Sequence, residues 1–118
     1  MKHSIRYIEL KTGYDDNGPA WIAKITYSKS RKTIYFNRKK LKKIKKGGLH
    51  GNYRDIETGE EYWISGVKKN GQDRHWNDSG KITIDESIVT EYLKLVNFDS
   101  INNKRYKITK INSKDLDK

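Results

Sequence analysis

Apolar residues in this chain come in short runs, most of them closed within a few positions by Gly, Asn, Asp or Pro, and that punctuation constrains the fold most. The run WIAKITY shows the pattern best. Trp21, Ala23, Ile25 and Tyr27 fall on one face of an extended chain, and Ile22, Lys24 and Thr26 on the other. A period of two specifies a β-strand. Ile5 to Lys11 reads as an earlier strand, ended by Thr12-Gly13 and the turn-rich YDDNGP, and Thr33 to Asn37 as a third, close enough to pair as a hairpin. Tyr53 to Glu57 and Glu61 to Lys68 form a second hairpin around Gly59, and Gly66 in the latter strand marks a bulge or a close backbone approach. Asn70-Gly71 is a tight-turn signal, followed by a strand at Lys81 to Ile84.

One helix is expected. Asp85 is placed to cap a segment from Glu86 to Val96, in which Ile88, Val89, Tyr92, Leu93 and Val96 recur at helical spacing. The run RKKLKKIKK, Arg38 to Lys46, reads as a short helix or a loop, because Leu41 and Ile44 are three apart and Gly47-Gly48 follows. Several short strands with one helix predict a mainly β fold with a minor α part: a small antiparallel SH3-like or OB-like barrel, or a bent sheet, with a C-terminal helix. The chain divides into one β-rich domain over 1–96, with its helix at about 86–96, and a polar extension over 97–118. Tyr106, Ile108 and Ile111 would give that extension an edge strand before a mobile end.

With 33% hydrophobic residues in 118, the core must be small and aromatic. No cysteine is present, which excludes disulfides, cysteine-based zinc sites and thiol nucleophiles. His3, His50 and His75 show no metal-ligand spacing, so neither a metal nor a cofactor is expected. No window approaches the ~20 apolar residues of a membrane helix, and no signal-peptide pattern opens the chain, so a cytoplasmic protein without membrane contact is expected.

The formal net charge of +11 is concentrated. Residues 28–46 hold ten Lys and Arg and no Asp or Glu. Such density attracts polyanions by counterion release. Tyr35, Arg38, Lys39, Lys40, Lys42, Lys43, Lys45 and Lys46 are therefore the candidate nucleic-acid-binding residues. A second candidate site, for a ligand or partner, is the loop GVKKNGQDRHW, where Lys68, Lys69, Arg74, His75 and Trp76 bring cationic and stacking groups together across a turn.

The segment ETGEEYWISGVKKNGQDRHW, Glu57 to Trp76, with RYIELKTGY, GPAWI, YFN and GKITID elsewhere, resembles a family of short uncharacterised bacterial proteins often labelled deoxyxylulose-phosphate synthase. The likeness spans roughly residues 6 to 96. It implies a shared fold and no assigned function, because a thiamine-diphosphate synthase needs a GDG-type motif and two large domains that this chain lacks. The recognisable motifs flank the densest lysines, so Arg38 to Lys46 reads as an insertion particular to this member.

Asp73, His75 and Ser79 include the residue types of a hydrolase triad, but they crowd one loop without a nucleophile elbow. No catalytic residue is assigned, and an enzyme acting on a small phosphorylated ligand ranks last. The leading expectation is a noncatalytic module binding an anionic partner, RNA or single-stranded DNA above all. The alternative is a protein-interaction or accessory module using the 62–76 hairpin. Oligomeric state is not specified by the sequence.

Overall fold

The computed structural model describes residues 3–12, 18–44, 51–69 and 81–111. The described residues form eight strands, numbered along the chain: β1 (His3–Leu10), β2 (Ala20–Tyr27), β3 (Thr33–Phe36), β4 (Lys39–Lys43), β5 (Tyr53–Asp55), β6 (Glu61–Gly66), β7 (Ile82–Asp85) and β8 (Tyr106–Thr109). Each of the first six pairs antiparallel with its sequence neighbour, and β6 returns to β1, which closes a six-stranded up-and-down barrel. Closure removes the exposed strand edges that so short a sheet would otherwise present.

β2 organises the rest. One edge pairs along its length with β1, while the other is shared: β3 takes Thr26 and Tyr27, and β7 takes Ala20 to Ile22. β7 and β8 run parallel to β2 and to each other, not antiparallel, and the helical crossover between them is what parallel pairing requires. That crossover is a 3₁₀ turn at Glu86–Ile88 followed by α1 (Val89–Val96). Asp85 caps it, its Oδ1 accepting from the Ser87 N–H at 3.0 Å, and Asn97 ends it in the left-handed conformation at φ 58°.

Two cores share the wall made by β1 and β2. Inside the barrel lie Ile8, Ala23, Ile25, Ile34, Phe36, Leu41, Tyr53, Tyr62 and Ile64. Outside it, under α1, lie Ile5, Tyr7, Ala20, Ile22, Ile82, Ile84, Ile88, Tyr92, Val96 and Tyr106. The alternation of β2 therefore separates two apolar environments over its first half, and Lys24 and Thr26 continue the outer face beyond them. Tyr92 and Tyr106 pack at 5.9 Å between ring centres and hydrogen-bond through their hydroxyls at 3.0 Å, which ties β8 to the helix.

Two local features differ from the sequence expectation. The lysine run is neither helix nor loop over its first half but strand β4, because Leu41 enters the barrel between Ile34 and Asp55 and leaves the lysines to the rims and the outer face. The Asn37-Arg38 turn that feeds it has both residues at positive φ, 47° and 62°, as a two-residue type I′ hairpin demands. Gly66 marks no close approach, since a Cβ there would meet nothing within 4 Å. The close approach is at Gly51, where a Cβ would stand 2.6 Å from the Tyr62 carbonyl oxygen. Next to it, Asn52 completes the β6 ladder with its side chain, Nδ2 donating to the Ile64 carbonyl and Oδ1 accepting from the Ile64 N–H, both at 2.8 Å.

Candidate functional site

Strand direction sorts the charges along the barrel. One mouth is formed by the start of β1, the β2–β3 loop, the end of β4, the start of β5 and the end of β6. It carries Arg6, then Lys29, Arg31 and Lys32, then Lys43, and finally Lys68 and Lys69 beyond β6, and residues 4–6, 28–32, 43–44, 51–53 and 66–69 contain no acid. Arg6 and Glu91 of α1 line a cleft between helix and barrel with Ser4, Ile5, Val67 and Leu95. The opposite mouth is mixed: Asp55, Glu57 and Glu60 of the β5–β6 hairpin lie there with Lys11, Arg38 and Lys39, and Glu61 reaches back along the barrel, its Oε1 accepting from the Gly51 N–H at 3.1 Å. Along β1, Glu9 is buried, with Tyr7 donating its hydroxyl to Oε1 and Lys11 pairing with Oε2 at 2.9 Å.

The β2–β3 loop that builds the basic mouth is set by local chemistry. The Ser28 N–H bonds the Thr33 carbonyl at 2.9 Å, and the Ser28 hydroxyl accepts from the Thr33 N–H at 3.2 Å. Arg31 turns the chain at φ 62° and lays its guanidinium 5.0 Å from the centre of the Tyr27 ring. Beneath it, burial pushes the Tyr53 hydroxyl above its usual range, the nearby Tyr27 hydroxyl adds to the rise, and Arg6 opposes it. Tyrosines and arginines thus converge where the barrel opens. The other mouth is plugged by Trp21, which meets Phe36 edge-on at 5.5 Å and Tyr62 at 6.3 Å.

The predicted lysines do not form one patch. Arg38 and Lys39 lie at the mixed mouth, and Lys39 Nζ stands 3.9 Å from Oδ2 of Asp55, whose other oxygen accepts from the Glu57 N–H at 2.9 Å. Lys40 and Lys42 alternate onto the outer face with Tyr35, in register with Tyr35 and Thr33 respectively. Lys42 is also opposite Arg54, and Arg54 stands 3.8 Å from Glu61, the acid in register with it. Lys43 reaches the basic mouth about 17 Å along the strand from Arg38. Lys45 and Lys46 lie outside the described residues, as do Arg74, His75 and Trp76 of the second candidate site. Lys68 and Lys69 of that site are exposed just past the end of β6.

Sequence reasoning did not single out Arg6, Arg31, Arg54 or Ile56. Arg54 and Ile56 keep the outward parity of a strand whose inward residues are Tyr53 and Asp55, a signal present in YRDI but too short to stand out. Ile56 is 55% exposed, its N–H held by the Lys40 carbonyl at 3.1 Å. With Lys42, Lys43, Ile44 and Arg54 it lines a groove of about 300 Å³ along the outer side of β4 and β5.

No family model, curated protein or solved structure matches this chain.

Among the described residues, no group of three or more His, Cys, Asp and Glu could hold a metal ion, and no helix is long and apolar enough to cross a membrane. Among the described residues, the basic mouth and the groove beside it bring together cations, ring faces and an apolar strip.

Proposed function

We propose that this protein is a noncatalytic binding module for single-stranded nucleic acid, RNA or DNA, engaged by the basic mouth of the barrel and the adjoining outer face of β3 to β5. The observation that carries the reading is the separation of charge along the barrel. Basic side chains from the β2–β3 loop, the end of β4 and the end of β6 gather at one mouth, and the acids of the β5–β6 hairpin lie at the other, where Lys11, Arg38 and Lys39 offset them. A field of that form orients a polyanion toward one surface before contact, and neutralised phosphates release counterions. Tyr35 and Tyr27 supply ring faces beside the cations, the combination used by single-strand binders with little sequence preference.

Within this reading Lys40, Lys42, Lys43 and Arg54 contact phosphates, Tyr35 stacks a base, and Arg38 and Lys39 take no part. The protein acts in the cytoplasm, where such strands are available. The direct test is the ultraviolet absorbance ratio of the purified protein before and after a high-salt wash. Co-purifying nucleic acid that the wash removes supports the reading. Protein free of nucleic acid that also fails to bind a single-stranded oligonucleotide at low salt overturns it.

A second reading rests on Trp63, which is 42% exposed on the outer side of β6 opposite Glu9. Exposed tryptophans concentrate binding energy at protein interfaces. In that case the β6 face captures a protein partner, and Trp63→Ala abolishes capture without loss of the fold.

A further inference from the structure

The groove along β4 and β5 has a composition that phosphate attraction alone does not call for. Three cations, Lys42, Lys43 and Arg54, border two isoleucines, Ile44 and Ile56, and Arg54, half exposed, also stands 3.8 Å from the Glu61 carboxylate. Ile56 is more than half exposed, although it sits in a turn where a polar residue would cost nothing. The isoleucines lie toward opposite ends of the groove: Ile56 is tied to Lys40 at one end by its N–H, and Ile44 to Asn52 at the other, both at 3.1 Å. The cross-strand pair Lys42 and Arg54 stands between them. Apolar surface, then charge, then apolar surface along one line matches the alternation of base and phosphate in an extended single strand.

We infer that this groove is a nucleotide-seating site, in which unstacked bases lie against Ile56 and Ile44 while the intervening phosphates meet Lys42, Arg54 and Lys43. The inference rests on the nucleic-acid reading above and deepens it, because it makes the unpaired base, and not only the phosphate chain, part of what is recognised. A duplex keeps its bases stacked inside and cannot fill the apolar ends, so the site discriminates against double strands by leaving Ile44 and Ile56 wet. The groove volume of about 300 Å³ lies at the lower end of the range for small-molecule sites.

The test uses two fluorescent oligonucleotides of equal length, oligothymidine and the same backbone with abasic sites, each titrated at low salt with the full chain and with Ile56→Ser. The site predicts that wild type binds oligothymidine about tenfold tighter than the abasic strand. It also predicts that Ile56→Ser loses about five- to tenfold on oligothymidine, the factor expected for roughly 50 Å² of apolar contact. Abasic affinity stays unchanged in the variant, which also reports that its fold is intact. Equal affinity of wild type for the two strands overturns the site while leaving polyanion binding standing. An Ile56→Ser variant that keeps the full preference overturns it as well. Absence of binding to either strand overturns the underlying nucleic-acid reading.

Discussion

Lys39 and Asp55 meet diagonally across β4 and β5 at the end of the barrel opposite the basic mouth, with Nζ 3.9 Å from Oδ2. Lys39 shares the inward parity of Leu41, the residue in register with Asp55, so it does not lie on the outer face with Lys40 and Lys42. Asp55 is almost fully buried and also holds the β5–β6 turn through the Glu57 N–H. Lys39→Gln is therefore expected to lower stability by up to about 1 kcal/mol, the scale of a partly exposed ion pair. It leaves oligonucleotide affinity within about twofold, whereas Lys42→Gln weakens it several-fold. Thermal melts and anisotropy titrations of the two variants check both halves.

Gly51 and Gly66 make a second contrast. A Cβ at Gly51 would press on the backbone of Tyr62, with contacts of 2.6 and 2.9 Å that no rotamer change relieves. Gly51→Ala is expected to cost about 1–3 kcal/mol, as overpacking does. Gly66→Ala has open space and stays within about 0.5 kcal/mol of wild type. Urea unfolding of both variants decides it, and equal midpoints would contradict the assignment of the close approach to Gly51.

The Tyr62 hydroxyl predicts how stability responds to alkali. Burial raises it to about 12, and the carboxylates of Glu60 and Asp55 add to the rise. The folded chain then holds this proton more tightly than the unfolded chain, where tyrosine ionises near 10. The resulting stabilisation is complete below about pH 10 and is lost as pH rises from about 10 through about 12. Denaturant midpoints measured from pH 8 to pH 11.5 should fall for wild type and fall less for Tyr62→Phe.

Much of the barrel was legible because period two is a strong signal wherever a strand faces a core. The faces of Trp21 to Tyr27, the Asp85 cap and the helix to Val96 follow from residue pattern and cap chemistry alone. The lysine run was misread because Leu41 and Ile44 are spaced like a helical turn, and only the cross-strand partners Ile34 and Asp55 show that Leu41 is the inward residue of a strand. Parallel pairing of β7 and β8 was hidden for a related reason: local alternation is the same in both senses, and direction is set by β2, some 60 positions earlier. The division of the basic run between two mouths depends on strand direction, which a charge count does not contain. The ends of the groove, Ile44 and Ile56, are 12 positions apart and are brought to one groove only by the β4–β5 register.

Binding of a nucleic-acid backbone by this face of the barrel is read most directly from the salt dependence of affinity for a single-stranded oligonucleotide. Single strands give a slope of log K against log salt of about −0.7 for each phosphate neutralised. Wild type should show a slope of about −2 or steeper, and the combined variant Lys42→Gln, Lys43→Gln, Arg54→Gln should flatten it by about 2, while Lys39→Gln leaves it in place. A slope near zero for wild type, or one that the triple variant leaves unchanged, would contradict the claim that this face of the barrel binds the nucleic-acid backbone.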